Sequence, residues 1–149
     1  MKRFRIPALI SAVCAAAALA GCGEHKQPAV VFIRNLTNQT IQEVYLHQEK
    51  DTENKNDNII EEDFPHGMNI RYDLGSYTEE QYKEGFSLRV VSNENFDESF
   101  GKLQLADNDT IVLYFDKTRL SLALNKTDIE IKALQAKSEE ENRDLPDIN

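Results

Sequence analysis

The sequence predicts an all-β fold: a small antiparallel β-sandwich of about seven strands, with a C-terminal helix or disordered acidic tail. Apolar residues recur at every second position in short runs: Ile70, Tyr72 and Leu74; Phe86, Leu88 and Val90; Ile111, Leu113 and Phe115; Leu120, Leu122 and Leu124. Successive side chains of a strand point to opposite faces, so each run describes a strand with one buried face. The runs are short and are separated by Asn, Gly, Pro and Thr, at the spacing a sandwich requires. From Ala29 to Asn125 there are 97 residues. That is one domain's worth of chain, able to bury about 60–70% of its unfolded surface.

The first segment is of another kind. Lys2, Arg3 and Arg5 precede an apolar stretch, Ile6 to Ala20, interrupted by Ser11. A spanning helix needs about 20 apolar residues, and this stretch stops short of that at Gly21. A positive n-region, a short apolar core and small residues before a break make a secretory signal. It ends in Leu19-Ala20-Gly21-Cys22, and in this the segment closely resembles the bacterial lipoprotein signal. The resemblance implies a diacylglyceryl thioether on the Cys22 sulfur, cleavage between Gly21 and Cys22, and acylation of the new α-amine. Cys14 follows Ser11-Ala12-Val13 and lacks the Leu. Residues 1–21 are then a signal peptide, and 22–28 the lipidated Cys and a polar tether spanning about 20 Å when extended. The same resemblance implies a membrane anchor in the cell envelope. Because Gly23, not Asp, follows Cys22, it favours the outer membrane in a host with two membranes. Cys14 leaves with the signal and Cys22 carries lipid, so no disulfide is expected in the mature chain.

Along the sandwich, residues 29–125, Ala29 to Arg34 is a dense apolar run and reads as the first strand. Asn35 to Thr40 is turn chemistry, since Asn and Thr side chains bond nearby backbone. Ile41 to His47 resumes as a strand, with Val44 and Leu46 on its inward face. Glu49 to Asp63 is polar and acidic and reads as a mobile connection. Met68 to Leu74 places Ile70, Tyr72 and Leu74 inward, and Asn69, Arg71 and Asp73 outward. Thr78 to Glu84 suits a helical turn over one end. Phe100, Leu103 and Leu105 make a weaker strand in which Gly101 suggests a bulge. In residues 126–149, Thr127 and Glu130 have capping-box spacing, and Ile129 to Asn142 is rich in Ala, Glu, Gln and Lys. A helix fraying into a disordered end near Pro146 is expected; Ile129 and Ile131 also fit an extra edge strand.

Asn35-x-Thr37, Ile41 to Leu46, Phe64-Pro65-His66-Gly67, Phe86 to Val91 and Asp109 to Leu113 together resemble a pattern of uncharacterised bacterial secreted β-sandwich domains. The resemblance covers about residues 30–116. It implies the fold and no activity.

The chain carries 17 Lys and Arg against 26 Asp and Glu, a formal charge of −9. Removing residues 1–21 takes away Lys2, Arg3 and Arg5 and no acid, which moves the charge to −12. Such a surface repels phosphate backbones, so nucleic acid is not an expected partner. It suits a basic protein.

Asp51, Glu53, Asp57 and Glu62 fall at ligand positions of a twelve-residue calcium loop. Lys55 occupies another ligand position, and Asn56 stands where the sharp turn needs glycine, so the EF-hand reading fails. The four remain candidates for some other weak divalent site, but no metal or other cofactor is expected. His47 and Glu49 would share a face if the strand continued, and His66 lies in the Pro-x-Gly turn; two histidines fall short of the three or four ligands a transition metal needs. There is no Gly-x-Ser-x-Gly elbow and no glycine-rich phosphate loop. None of Ser76, Ser87, Ser92, Ser99 or Ser121 has a catalytic context. Four Asn-x-Thr triplets, at Asn35, Asn38, Asn108 and Asn125, fall at strand ends and read as turn makers.

The expectation is therefore a lipid-anchored, non-catalytic binding or structural module of the cell envelope, acting through loops or a sheet edge. An accessory or immunity-type lipoprotein that binds a basic protein is the alternative. A small metal-dependent hydrolase is a second.

Overall fold

The structure is a computed structural model that describes residues 24–93, 96–116 and 119–143. The alternating runs become β1 (Gln27–Asn35), β2 (Ile41–Gln48), β3 (Asn69–Tyr77), β4 (Phe86–Ser92), β5 (Asp97–Leu103), β6 (Thr110–Asp116) and β7 (Arg119–Leu124). Two helices join them, α1 (Glu79–Glu84) and α2 (Asp128–Arg143). The strands form two sheets, ordered β3-β1-β6-β7 and β2-β4-β5. Their inner faces share one apolar core. The fold is a small all-β sandwich.

Alternation fixed the inward faces as expected. Val44 and Leu46, Leu88 and Val90, and Ile111 and Leu113 are all buried. In the dense apolar run of β1, Val31 and Ile33 are buried with them. Phe96 and Phe115 meet edge to face at 5.6 Å within the sandwich, an arrangement the ring quadrupoles favour.

Two details depart from the sequence reading, and a third agrees with it. The pairing is antiparallel except for β1 and β6, which run parallel, with Phe32 opposite Thr110 and Asn35 opposite Leu113. Parallel neighbours need a long crossover. Here the whole second sheet lies between them in sequence and supplies it. β1 also starts at Gln27, opposite Tyr77, so the first strand takes in two residues assigned to the tether. The bulge expected at Gly101 is present where Phe86 pairs with Leu103 but Leu88 pairs with Phe100. Its left-handed residue is Lys102, at φ 56°. Gly85, at φ 91°, lies against this bulge, and a Cβ there would come within 3.0 Å of the Lys102 backbone.

After Thr127 the chain forms the helix α2 (Asp128–Arg143), not an edge strand. The Glu130 carboxylate accepts from the Thr127 backbone N–H, and the Thr127 hydroxyl accepts from the Glu130 N–H. That reciprocal pair is the capping box the spacing foretold. One turn on, Ile131 is buried with Leu36 and Val112, and Leu134 packs beside them. The helix therefore docks on the outer face of β6, which is covered on both sides. Pro146 lies outside the described residues.

Candidate functional site

Four polar groupings and two surface grooves are the places where chemistry or binding could reside. The Asn-x-Thr turn at Asn35 is one grouping. The Asn35 amide donates to the carbonyls of Gln39 and Phe64, and its Oδ1 accepts from the backbone and hydroxyl of Thr37. His66 joins this turn by accepting the Asn38 N–H at its Nδ1, 3.2 Å away. Both imidazole and amide are engaged in holding the loop between β1 and β2 against the 64–67 turn.

His47 is elsewhere. Its Nδ1 lies 2.9 Å from the Gln48 carbonyl, which can only accept, so Nδ1 carries the proton. Glu49 accepts from the Ser87 hydroxyl at 2.6 Å and from the Lys102 N–H at 3.2 Å. The Ser87 bond, followed by the Lys102 bond, holds the Glu49 carboxyl below its ordinary value. Ser87 thus donates to a carboxylate that resists protonation, and a weakly basic carboxylate is a poor base for activating a hydroxyl. Across the exposed face of β2-β4-β5, Arg89 pairs with both carboxylate oxygens of Asp97, and its guanidinium sits 5.4 Å from the Tyr45 ring centroid. The Tyr45 hydroxyl donates to Glu43.

The acidic connection between β2 and β3 is tied down, contrary to the mobile loop expected. Asn58 accepts from the Val44 N–H, Ile59 donates to the Val44 carbonyl, and Phe64 exchanges two backbone bonds with Ile41. Ile59 and Ile60 rest on the core. The connection runs along the β2 edge and closes the side of the sandwich where β2 and β3 face each other.

The four calcium-loop candidates are divided by this path. Asp51 closes a tight turn, its carboxylate accepting from the Glu53 and Asn54 N–H groups and the Asn54 amide. The Asn54 bonds hold its carboxyl below the ordinary value. Asp51 and Asp57 line a depression with His47, Tyr72 and Tyr77. Glu62 lines a different groove, and Glu53 lines neither. Among the described residues, no three His, Cys, Asp or Glu side chains are grouped closely enough to hold a metal ion. Cys22 and Gly21 lie outside the described residues.

That second groove, of about 340 Å³, lies between residues 59–64 of the connection and the start of β3. Ile59, Ile60, Met68 and Ile70 give it apolar walls; Glu61, Glu62, Asp63 and Arg71 stand on its rim. Met68 is 46% exposed, one of two large hydrophobic side chains so exposed among the described residues. The sequence reading missed this groove because Ile59-Ile60 is a two-residue apolar signal inside a polar stretch. A second cleft, of about 380 Å³, lies under α1 between His25, Pro28, Tyr82 and Leu105. No helix among the described residues is long and apolar enough to cross a membrane.

No family model and no curated protein matches this chain. Among solved structures, the membrane-binding domain of pneumolysin is similar to it with a TM-score of 0.37 and 9% sequence identity, over 68% of this chain and 98% of that one. A likeness that slight carries no argument about activity or partners.

Proposed function

We propose that the protein is a lipid-anchored lipoprotein of the cell envelope whose sandwich is a non-catalytic binding or structural module. The observation that carries this reading is Leu19-Ala20-Gly21-Cys22 at the end of the apolar stretch behind Lys2, Arg3 and Arg5. Each buried acyl methylene contributes about 0.8 kcal/mol, and two chains hold where one does not. Four residues, 23–26, separate Cys22 from β1, a reach of about 13 Å at ~3.3 Å per residue. The sandwich then rides close to the headgroups. Gly23 after the lipidated Cys favours the outer membrane where the host has one.

The non-catalytic half of the reading is supported by how the polar side chains are used. His66, Asn35, Asp51, Glu49 and Ser87 hold turns and strand ends together. A formal charge of −12 for residues 22–149, with an acidic rim around an apolar groove, favours a basic protein partner, as in an accessory or immunity-type lipoprotein. Cys22→Ala in the full chain is expected to move the protein from the membrane fraction to the soluble one. Retention of the variant in washed membranes would contradict the anchor.

A further inference from the structure

From the groove between residues 59–64 and the start of β3, we infer a docking site for an extended, basic and apolar segment of a partner protein. This deepens the binding-module reading and rests on it, but does not depend on the lipid. Three features of the groove point the same way.

Its walls are apolar and open. Met68 is 46% exposed, one of two large hydrophobic side chains so exposed among the described residues, and Ile59, Ile60 and Ile70 stand beside it half-buried. Apolar surface of this kind, rimmed by polar residues, is what binding sites present. The alkyl side chains of an incoming segment would cover it.

Its rim is acidic and not paired within the protein. Glu61, Glu62 and Asp63 are consecutive and exposed, and none has an ion-pair or hydrogen-bond partner for its carboxylate among the described residues. Asp51 and Glu49 are, by contrast, engaged by hydrogen bonds. Arg71 on the opposite rim leaves the groove net acidic and gives it polarity, so lysines or arginines belong over the 61–63 side. Complementary charge of this kind supplies specificity and association rate more than affinity.

Its floor runs beside a sheet edge. β3 ends its sheet and pairs with β1 alone. The connection that closes this side bonds to β2 instead, through Asn58, Ile59 and Phe64. Apart from the Gly75 N–H, which donates to Asp73 Oδ1, the outer edge of β3 is open to an incoming strand, whose alternate side chains would fall into the groove. An extended segment satisfies all three features; a compact basic ligand meets only the rim.

The test measures binding of a fluorescein-labelled peptide of alternating Leu and Lys to the full-length protein by anisotropy. The wild type is expected to bind it in a salt-sensitive manner, and a Lys-only peptide of equal length at least tenfold more weakly. Reversing the rim, E61K/E62K/D63K, should weaken the alternating peptide at least tenfold. E24K/E80K/E140K makes the same change in net charge on exposed sites elsewhere and should weaken it less than threefold. E61Q/E62Q/D63N serves if the reversal impairs folding and should also weaken binding several-fold. Equal losses from the two triple reversals would overturn the site, leaving only long-range attraction. So would equal binding of the two peptides, or no binding by the wild type. A wild-type dimer that Met68→Asp dissolves would assign the groove to a second copy and overturn the proposal. Each of these failures leaves the lipid anchor standing, since that is read from labelling of Cys22.

Discussion

Asn35 makes four hydrogen bonds through one buried amide, to Gln39, Phe64 and twice to Thr37. Removing it takes from buried Thr37 the acceptor of its N–H and hydroxyl, and from the Phe64 carbonyl one of two donors, the Ile41 N–H remaining. A buried group left without its partner costs about 1–3 kcal/mol, so Asn35→Ala should lower stability by about 3 kcal/mol in urea unfolding. A loss under about 1 kcal/mol would show that solvent replaces those bonds. This role was legible in the sequence as an Asn-x-Thr triplet between two apolar runs. The other three triplets carry the same lesson in another form: Asn38, Asn108 and Asn125 all adopt positive φ, at 58°, 66° and 51°. Asn tolerates that region better than most residues. Lys102 shares it at 56° and was not legible, because nothing in a lysine announces a left-handed backbone. Glu130 offers a pH test. The Thr127 N–H and hydroxyl, with Lys126, hold its carboxyl down to about 2 from an ordinary value of 4.5. A depressed folded-state value means the ionised form stabilises. That contribution is present above pH 4.5 and is lost as pH falls from there through about 2. Amide protection of α2 should fall across that window, and Glu130→Gln, which keeps the reach to Thr127 but cannot titrate, should flatten the dependence. Unchanged titration of α2 in the variant would remove Glu130 as the cause.

The second helix is decided by two isoleucines. In a strand, Ile129 and Ile131 would share a face; on α2, Ile131 is buried against Leu36 and Val112 while Ile129 is 82% exposed. Truncating a buried Ile to Ala typically costs about 2–5 kcal/mol, and an exposed change stays within about 0.5 kcal/mol. Ile131→Ala should therefore destabilise by about 2 kcal/mol or more, and Ile129→Ala by almost nothing; equal effects would contradict the docked helix. The run Ile111-Val112-Leu113 already held a signal for this docking. Three consecutive apolar residues in a strand mean burial on both faces, whereas the period-two reading counted only Ile111 and Leu113. The parallel pairing of β1 and β6 had no such signal, because alternation reports which face is buried and not which way the neighbour runs. The acidic connection was misjudged for a related reason. Its composition is polar, but Asn58, Ile59 and Phe64 suffice to pin it to β2.

Taken together, the chain is an acidic sandwich held by its core, with a formal charge of −12 after residue 21. That charge repels anionic headgroups, so the sandwich should not lie flat on the bilayer to which the proposed lipid on Cys22 would tether it. Nucleic-acid partners are disfavoured by the same charge, and the 61–63 rim concentrates it beside apolar surface. The binding face was only partly legible: the acids stood out in the sequence, but the groove arises from Met68 and Ile59-Ile60, residues brought together by the fold of the connection. The anchor is the claim on which localisation and orientation both depend. It is tested most directly by labelling the full chain with radioactive palmitate in a bacterial host, alongside mass spectrometry of the mature N-terminus. The wild type should incorporate label and begin at an acylated Cys22, and Cys22→Ala should incorporate none. Label retained by the variant, or a mature wild-type protein that still carries residues 1–21, would contradict the account.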